Sequence, residues 1–142
     1  MSPRAPAGGR TQPCGDPEAR VKLRRAEQYM EVAALIVDEA DPDPDWASAA
    51  AALAVLAGIH ASDAACCKAL GRRSRGQDHH DVEVLLMQIE PHGRQAAAAM
   101  RRLIDLKDEA HYGFFRLSTR SLRTTFAQAD RLVSFAREVL AR

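Results

Sequence analysis

The sequence predicts an all-α, up-down bundle of four to five helices, and three observations carry that expectation. Helix-start and helix-stop residues recur at intervals of about one helix length, and the apolar residues between them fall three and four positions apart. Strand-like alternation and Asn-Gly or Asp-Gly hairpin turns are missing. With 142 residues, 46% of them apolar, the chain can build one hydrophobic core but not two ordinary domains.

Residues 1–15 contain three prolines and three glycines and no large apolar side chain after Met1, too little to offset the entropy of ordering them. They are expected to form a disordered tail, leaving residues 16–142 as a single helical-bundle domain. Asp16-Pro17-Glu18 reads as a first helix start, with Asp16 as N-cap, and the stripe Ala26, Met30, Ala33, Val37, Ala40 runs to a stop at Asp41-Pro42-Asp43-Pro44. Asp43 then caps a second helix from about Asp45 to Leu70, which Gly71 ends as a left-handed residue. Ten alanines between Ala47 and Ala65 let partner helices approach closely on several sides, so this helix is expected at the centre. Asp78 opens a third helix with Val82, Leu85, Leu86 and Ile89 inward and an end before Pro91. The fourth starts near Arg94, carries Met100, Leu103, Ile104 and Leu106, and ends near Gly113. Ser118 caps the fifth, with Leu117 and Leu122 placed as a hydrophobic staple. Its stripe of Leu122, Phe126, Ala129, Val133, Ala136 and Leu140 is the cleanest amphipathic pattern in the chain.

Charge narrows the partners. Twenty Lys and Arg against 19 Asp and Glu give no global field toward nucleic acid or an acidic membrane surface, so such binding requires local patches. The apolar run Ala49 to Ile59 is shorter than the roughly 20 residues of a spanning helix. No apolar segment follows Arg4 or Arg10 as a secretory signal requires. Cys14, Cys66 and Cys67 match neither a disulfide framework nor a metal-ligand spacing, so a reducing cytoplasm is expected.

Ionisable residues on apolar stripes are the candidates for chemistry, because burying them without partners costs several kcal/mol. The line Leu53, Leu56, His60, Asp63, Cys67, Leu70 places His60 and Asp63 one turn apart on the second helix. The line Met100, Ile104, Lys107, His111 does the same for Lys107 and His111 on the fourth. These four side chains meet either as an internal hydrogen-bond network, also at a dimer interface, or as an active or ligand site with tuned histidines. His79 and His80, about 100° apart on a helix, do not converge on one ion, and no Glu-x-x-His motif is present. No metal or other cofactor is expected, and this pair reads as the exposed first turn of the third helix. Arg72, Arg73 and Arg75 lie in a basic loop between two glycines, and Arg116, Arg120 and Arg123 form a second cluster. Either cluster is a solvated surface or a set of phosphate contacts.

The segments Ala57-Gly58-Ile59-His60-Ala61-Ser62-Asp63-Ala64, Asp78-His79-His80-Asp81-Val82-Glu83-Val84-Leu85-Leu86 and Arg102-Leu103-Ile104-Asp105-Leu106-Lys107-Asp108-Glu109-Ala110-His111-Tyr112-Gly113 resemble the HEPN superfamily of small helical bundles. The resemblance spans about residues 20 to 142 and is diffuse over most of that length. It implies a homodimer acting on RNA, often as a metal-independent ribonuclease in a toxin–antitoxin or defence setting. The family signature is Arg and His separated by four to six residues, often Arg-Asn-x-x-x-His-Gly, both protomers contributing to one site. Here Lys107 stands at the Arg position, Asp108 at the Asn that often follows it, and Tyr112 at the His before Gly113, while His111 falls one residue early. Eight residues separate Arg102, the alternative Arg, from His111. The resemblance thus implies His111, Lys107, Asp63, His60 and Tyr112 as catalytic candidates and Arg72, Arg73, Arg75, Arg102 and Arg116 as RNA contacts. Two other classes stay open: a non-catalytic interaction bundle that binds a cognate antitoxin or other protein, and a small-molecule or metal-binding bundle.

Overall fold

A computed structural model describes residues 10–76, 78–112 and 117–142, with backbone alone for 109–112. Five helices follow one another: α1 (Asp16–Val37), α2 (Pro44–Leu70), α3 (His80–Leu86), α4 (Gly93–Tyr112) and α5 (Thr119–Leu140). They form an all-α bundle in which α2 packs against α1, α3, α4 and α5.

Local chemistry sets most of the ends. The Asp43 carboxylate accepts from the Asp45 N–H at 2.9 Å, with Pro44 opening α2. Gly71 closes it with φ of 72°, a conformation costly for any residue bearing a Cβ. Ser118 Oγ accepts from the Ser121 N–H at 3.0 Å to cap α5, and Leu117 packs beside Leu122. Two caps differ from expectation. Gly15 rather than Asp16 is the N-cap of α1, its N–H donating to Glu18 Oε2, while Asp16 pairs with Lys68 at 3.0 Å. Helix α3 begins two residues after Asp78, whose Oδ1 accepts from the His80 N–H. Helix α1 also ends at Val37, leaving Ala40 exposed beyond the stripe it was expected to continue.

Alanines make the centre compact. Ala54, Ala57, Ala61, Ala64 and Ala65 of α2 are sealed from solvent, and the larger side chains come from the surrounding helices: Met30, Leu85, Leu86, Met100, Leu103, Leu132 and Val133. Gly58 marks the tightest approach. A Cβ there would run into Leu103 of α4 and lie 3.1 Å from Leu132 Cδ1 of α5. A second cluster, Ala33, Ala47, Ala50, Ala51 and Leu122, lies where α1, α2 and α5 meet, and Phe126 touches both clusters. By length and composition α2 could cross a membrane, yet most of its apolar surface is buried in the bundle.

The N-terminal segment corrects the expectation of a disordered tail over residues 10–15; residues 1–9 lie outside the described set. Strand β1 (Thr11–Pro13) pairs antiparallel with β2 (Arg72–Ser74), Gln12 opposite Arg73. Cys14 and Cys67 form a disulfide, overturning the expectation that the cysteines do not pair. Composition fails here because the segment is held by a cross-link to a residue 53 positions away and by backbone bonds, Cys14 N–H to Gly71 O and Arg75 N–H to Arg10 O. The cysteines therefore no longer argue for a reducing compartment.

Candidate functional site

On α1 the residues Ala19, Lys22, Ala26, Tyr29 and Ala33 are spaced three, four, three and four apart, so Lys22 and Tyr29 share the face that packs on α2. Lys22 Nζ sits 3.4 Å from both Asp63 Oδ2 and His60 Nδ1, and the Tyr29 ring stacks on His60 with centroids 5.6 Å apart. Asp63 is 6% exposed, and burial raises its pKa although the charges of Lys22 and Arg73 pull it down. Of the four side chains expected to meet, His60, Asp63, Lys107 and His111, Asp63 pairs instead with Lys22 of α1.

The His60 ring is lowered to about 4, first by burial and then by Lys22, Arg25 and Arg73, so it is neutral near pH 7. An ammonium only donates, so Nδ1 accepts from Lys22. That places the imidazole proton on Nε2 and makes this nitrogen a donor.

His60 also lines a cleft of about 640 Å³, and Lys107 lines the same cleft from α4. Its walls are Ser48, Ala51, Ala52, Val55, Leu56 and Ile59 of α2, Leu106 of α4, Leu117 just before α5 and Thr125 within it. Ser62 Oγ approaches Met100 Sδ at 3.7 Å while Gly58 faces Leu103, so α4 runs antiparallel to α2. Lys107, one turn beyond Leu103, therefore falls near the level of Val55, while His60 lies about 7 Å further along α2 at about 1.5 Å per residue. His79, expected in an exposed first helical turn, precedes α3 and lines the cleft as well; His80 is exposed. Burial lowers the His79 pKa, and the charge of nearby Lys107 lowers it further.

The side chains of His111 and Tyr112, and all of Arg116, lie outside the described residues. Two of the basic-loop arginines are structural. Arg72 Nη2 donates to Gln88 Oε1 at 3.0 Å, and Arg73 Nη2 donates to Gln12 Oε1 at 3.2 Å across the β1–β2 pair. The expected loop is therefore a strand over Arg72 and Arg73, with Arg75 exposed after it; Arg102 is exposed on α4. Among the described residues no three His, Cys, Asp or Glu side chains gather as a metal site requires. Cys66 is buried beside this polar cluster, its thiol pushed up to about 12 by burial and by Asp63, so it is not a nucleophile near neutral pH.

No protein-family model matches this chain, and no match is found among curated proteins.

Proposed function

We propose that this bundle binds a small, largely apolar molecule in the cleft between α2, α4 and the start of α5. The observation that carries this reading is the composition of the walls among the described residues: mostly alanine, valine, leucine and isoleucine side chains around about 640 Å³, with polar atoms at His60, His79, Lys107, Ser48 and Thr125. Small-molecule sites have this character, apolar area supplying affinity and a few polar atoms fixing orientation, in volumes of about 300–1,000 Å³. A neutral fluorescent probe, N-phenylnaphthylamine, is expected to bind saturably with enhanced emission. Leu56→Asp, at a side chain 41% exposed on the cleft wall, should abolish that signal without loss of helical circular dichroism. A probe signal that is absent, or indifferent to Leu56→Asp, would overturn the reading.

A second reading follows from the HEPN resemblance and has one observation in its favour: His60 and Lys107, 47 positions apart, line one cleft at the segment where the family motif would lie. In this reading a homodimer binds RNA, with Lys107 and exposed Arg75 and Arg102 on phosphates. His60, with its proton on Nε2, serves as a donor to a phosphate oxygen and not as the general base. That base would be His111. Incubating RNA with the protein in EDTA should then give cleavage that His111→Ala removes while circular dichroism is unchanged. Intact RNA at high protein concentration rules out the nuclease.

A further inference from the structure

We infer that the cleft selects molecules with an anionic head and an aliphatic tail, such as medium-chain carboxylates, through Lys107, with His79 in the same lining. The inference rests on the small-molecule reading above and adds the head group to it.

Three features converge on this class. The first is the distribution of polarity. Lys107 and His79 both line the cleft, and the lysine charge adds to the burial that lowers the histidine. From the level of Lys107 toward the N-terminus of α2 the helix contributes Val55, Ala52, Ala51 and then Ser48, and Leu117 and Thr125 also line the cleft. Among the described lining residues Lys107 is the one that carries a fixed charge, and the other polar groups, His60, His79, Ser48 and Thr125, are neutral, which fits an amphipathic molecule with one charged end. A uniformly polar ligand would leave its hydrogen-bonding groups against alkyl side chains.

The second is the sign and chemistry of the locus. An ammonium offers up to three donors and no acceptor, and a neutral imidazole lining the same cleft offers one donor without adding a second positive charge. A carboxylate, acceptor only, matches both. The attraction strengthens where apolar walls exclude water. A cationic head would meet Lys107 with like charge, and a neutral alcohol would use one donor and forgo the charge.

The third is length. From the level of Val55 to Ser48 is about 10 Å along α2 at about 1.5 Å per residue, the reach of an extended chain of about eight carbons. The small side chains of Ala51 and Ala52 leave that stretch unfilled by α2 itself.

The test compares octanoate with octanol at about pH 8, where the acid is ionised, each displacing N-phenylnaphthylamine from the full chain. Octanoate is expected to bind about tenfold to a hundredfold more tightly than octanol, the range of one charge-assisted hydrogen bond. Lys107→Gln, which keeps the helix and the stem but removes the charge, should bring that ratio close to one. Lengthening the acid from six to eight carbons should tighten binding about fourfold per methylene. Equal affinities for octanoate and octanol, or a ratio that Lys107→Gln leaves unchanged, overturn the head-group inference while the apolar cleft stands. Failure of both octanoate and octanol to displace a bound probe also overturns it. Failure of the probe itself to bind removes the cleft reading beneath it.

Discussion

Reducing the Cys14–Cys67 disulfide should cost this protein about 4 kcal/mol of stability, an effect comparable to a large part of the net stability of an ordinary domain. The size follows from the chain between the two cysteines. They are 53 positions apart, so the cross-link removes from the unfolded ensemble the freedom of a loop between the about 15-residue and about 100-residue cases, worth about 3 and about 4.7 kcal/mol. The folded state loses more than the bond, because β1 is only three residues long and has no apolar side chain in either core cluster. Without the tether, its pairing with β2 and the Gln12 anchor of Arg73 must hold by hydrogen bonds alone. Residues 10–14 should therefore become the first point of proteolysis once reduced. Rearrangement to Cys66 is closed off, because that thiol is buried and its pKa is pushed up to about 12. Urea unfolding with and without a phosphine reductant measures the loss directly, and Cys14→Ser should reproduce it in the absence of reductant. An unfolding midpoint that neither treatment moves would mean that the bridge contributes nothing to the fold.

The same bridge marks the boundary of what the sequence makes legible. Asp43, Gly71 and Ser118 are readable because a cap acts on residues within one turn of itself, and their helices end where those residues stand. The buried stripes of α3, α4 and α5 are readable for a related reason: helical periodicity is a local property, and Val82, Leu85, Met100, Leu103, Leu122, Ala129 and Val133 are all buried as their spacing requires. A cross-link over 53 residues and a three-residue ladder have no local signature. His79 lies before the first turn of α3, so the helical phase that would expose it does not apply to it. The partner of Asp63 was within reach. Lys22 and Tyr29 occupy the α1 stripe with Ala19, Ala26 and Ala33, but a lysine carries no apolar signal that marks it as part of that stripe. The spacing identified His60 and Asp63 as residues directed into the bundle, whereas the choice between α1 and α4 as their neighbour depended on how the helices pack.

Lys22→Met should destabilise the protein by about 2–3 kcal/mol at pH 7, and the deficit should shrink as the pH falls. Breaking a buried ion pair from one side costs about 3–5 kcal/mol, and the lower figure here allows for the Lys22 side chain being 21% exposed. With the ammonium gone, the Asp63 carboxylate stays buried without its counter-charge, and its pKa, already raised, rises further. A carboxyl whose folded pKa is raised contributes stability below its unfolded value, 3.8, and loses it as the pH climbs through the folded value. The variant is therefore penalised most at neutral pH. His60 acts in the same direction. In the wild type its folded pKa of about 4 lies below the 6.5 of the unfolded chain, so the unfolded state takes up the proton first and stability declines as pH drops from 6.5 toward 4. Removing Lys22 lifts one of the charges that depress His60, although burial, the larger cause, persists, and the variant suffers less of that acid loss. The gap between wild type and variant should narrow between pH 7 and pH 5 in urea titrations, while the His60 imidazole resonance titrates at a higher pH than the wild-type value of about 4. Lys22→Met with Asp63→Leu removes both charges together and should recover stability to within about 1 kcal/mol of wild type, since an ion pair and an apolar pair of similar volume are often close to equivalent. A gap that stays constant with pH would contradict the pairing of Lys22 with Asp63. A double variant no better than the single one would mean that the cost of Lys22→Met comes from lost packing of the lysine stem against α2 and not from the exposed charge on Asp63.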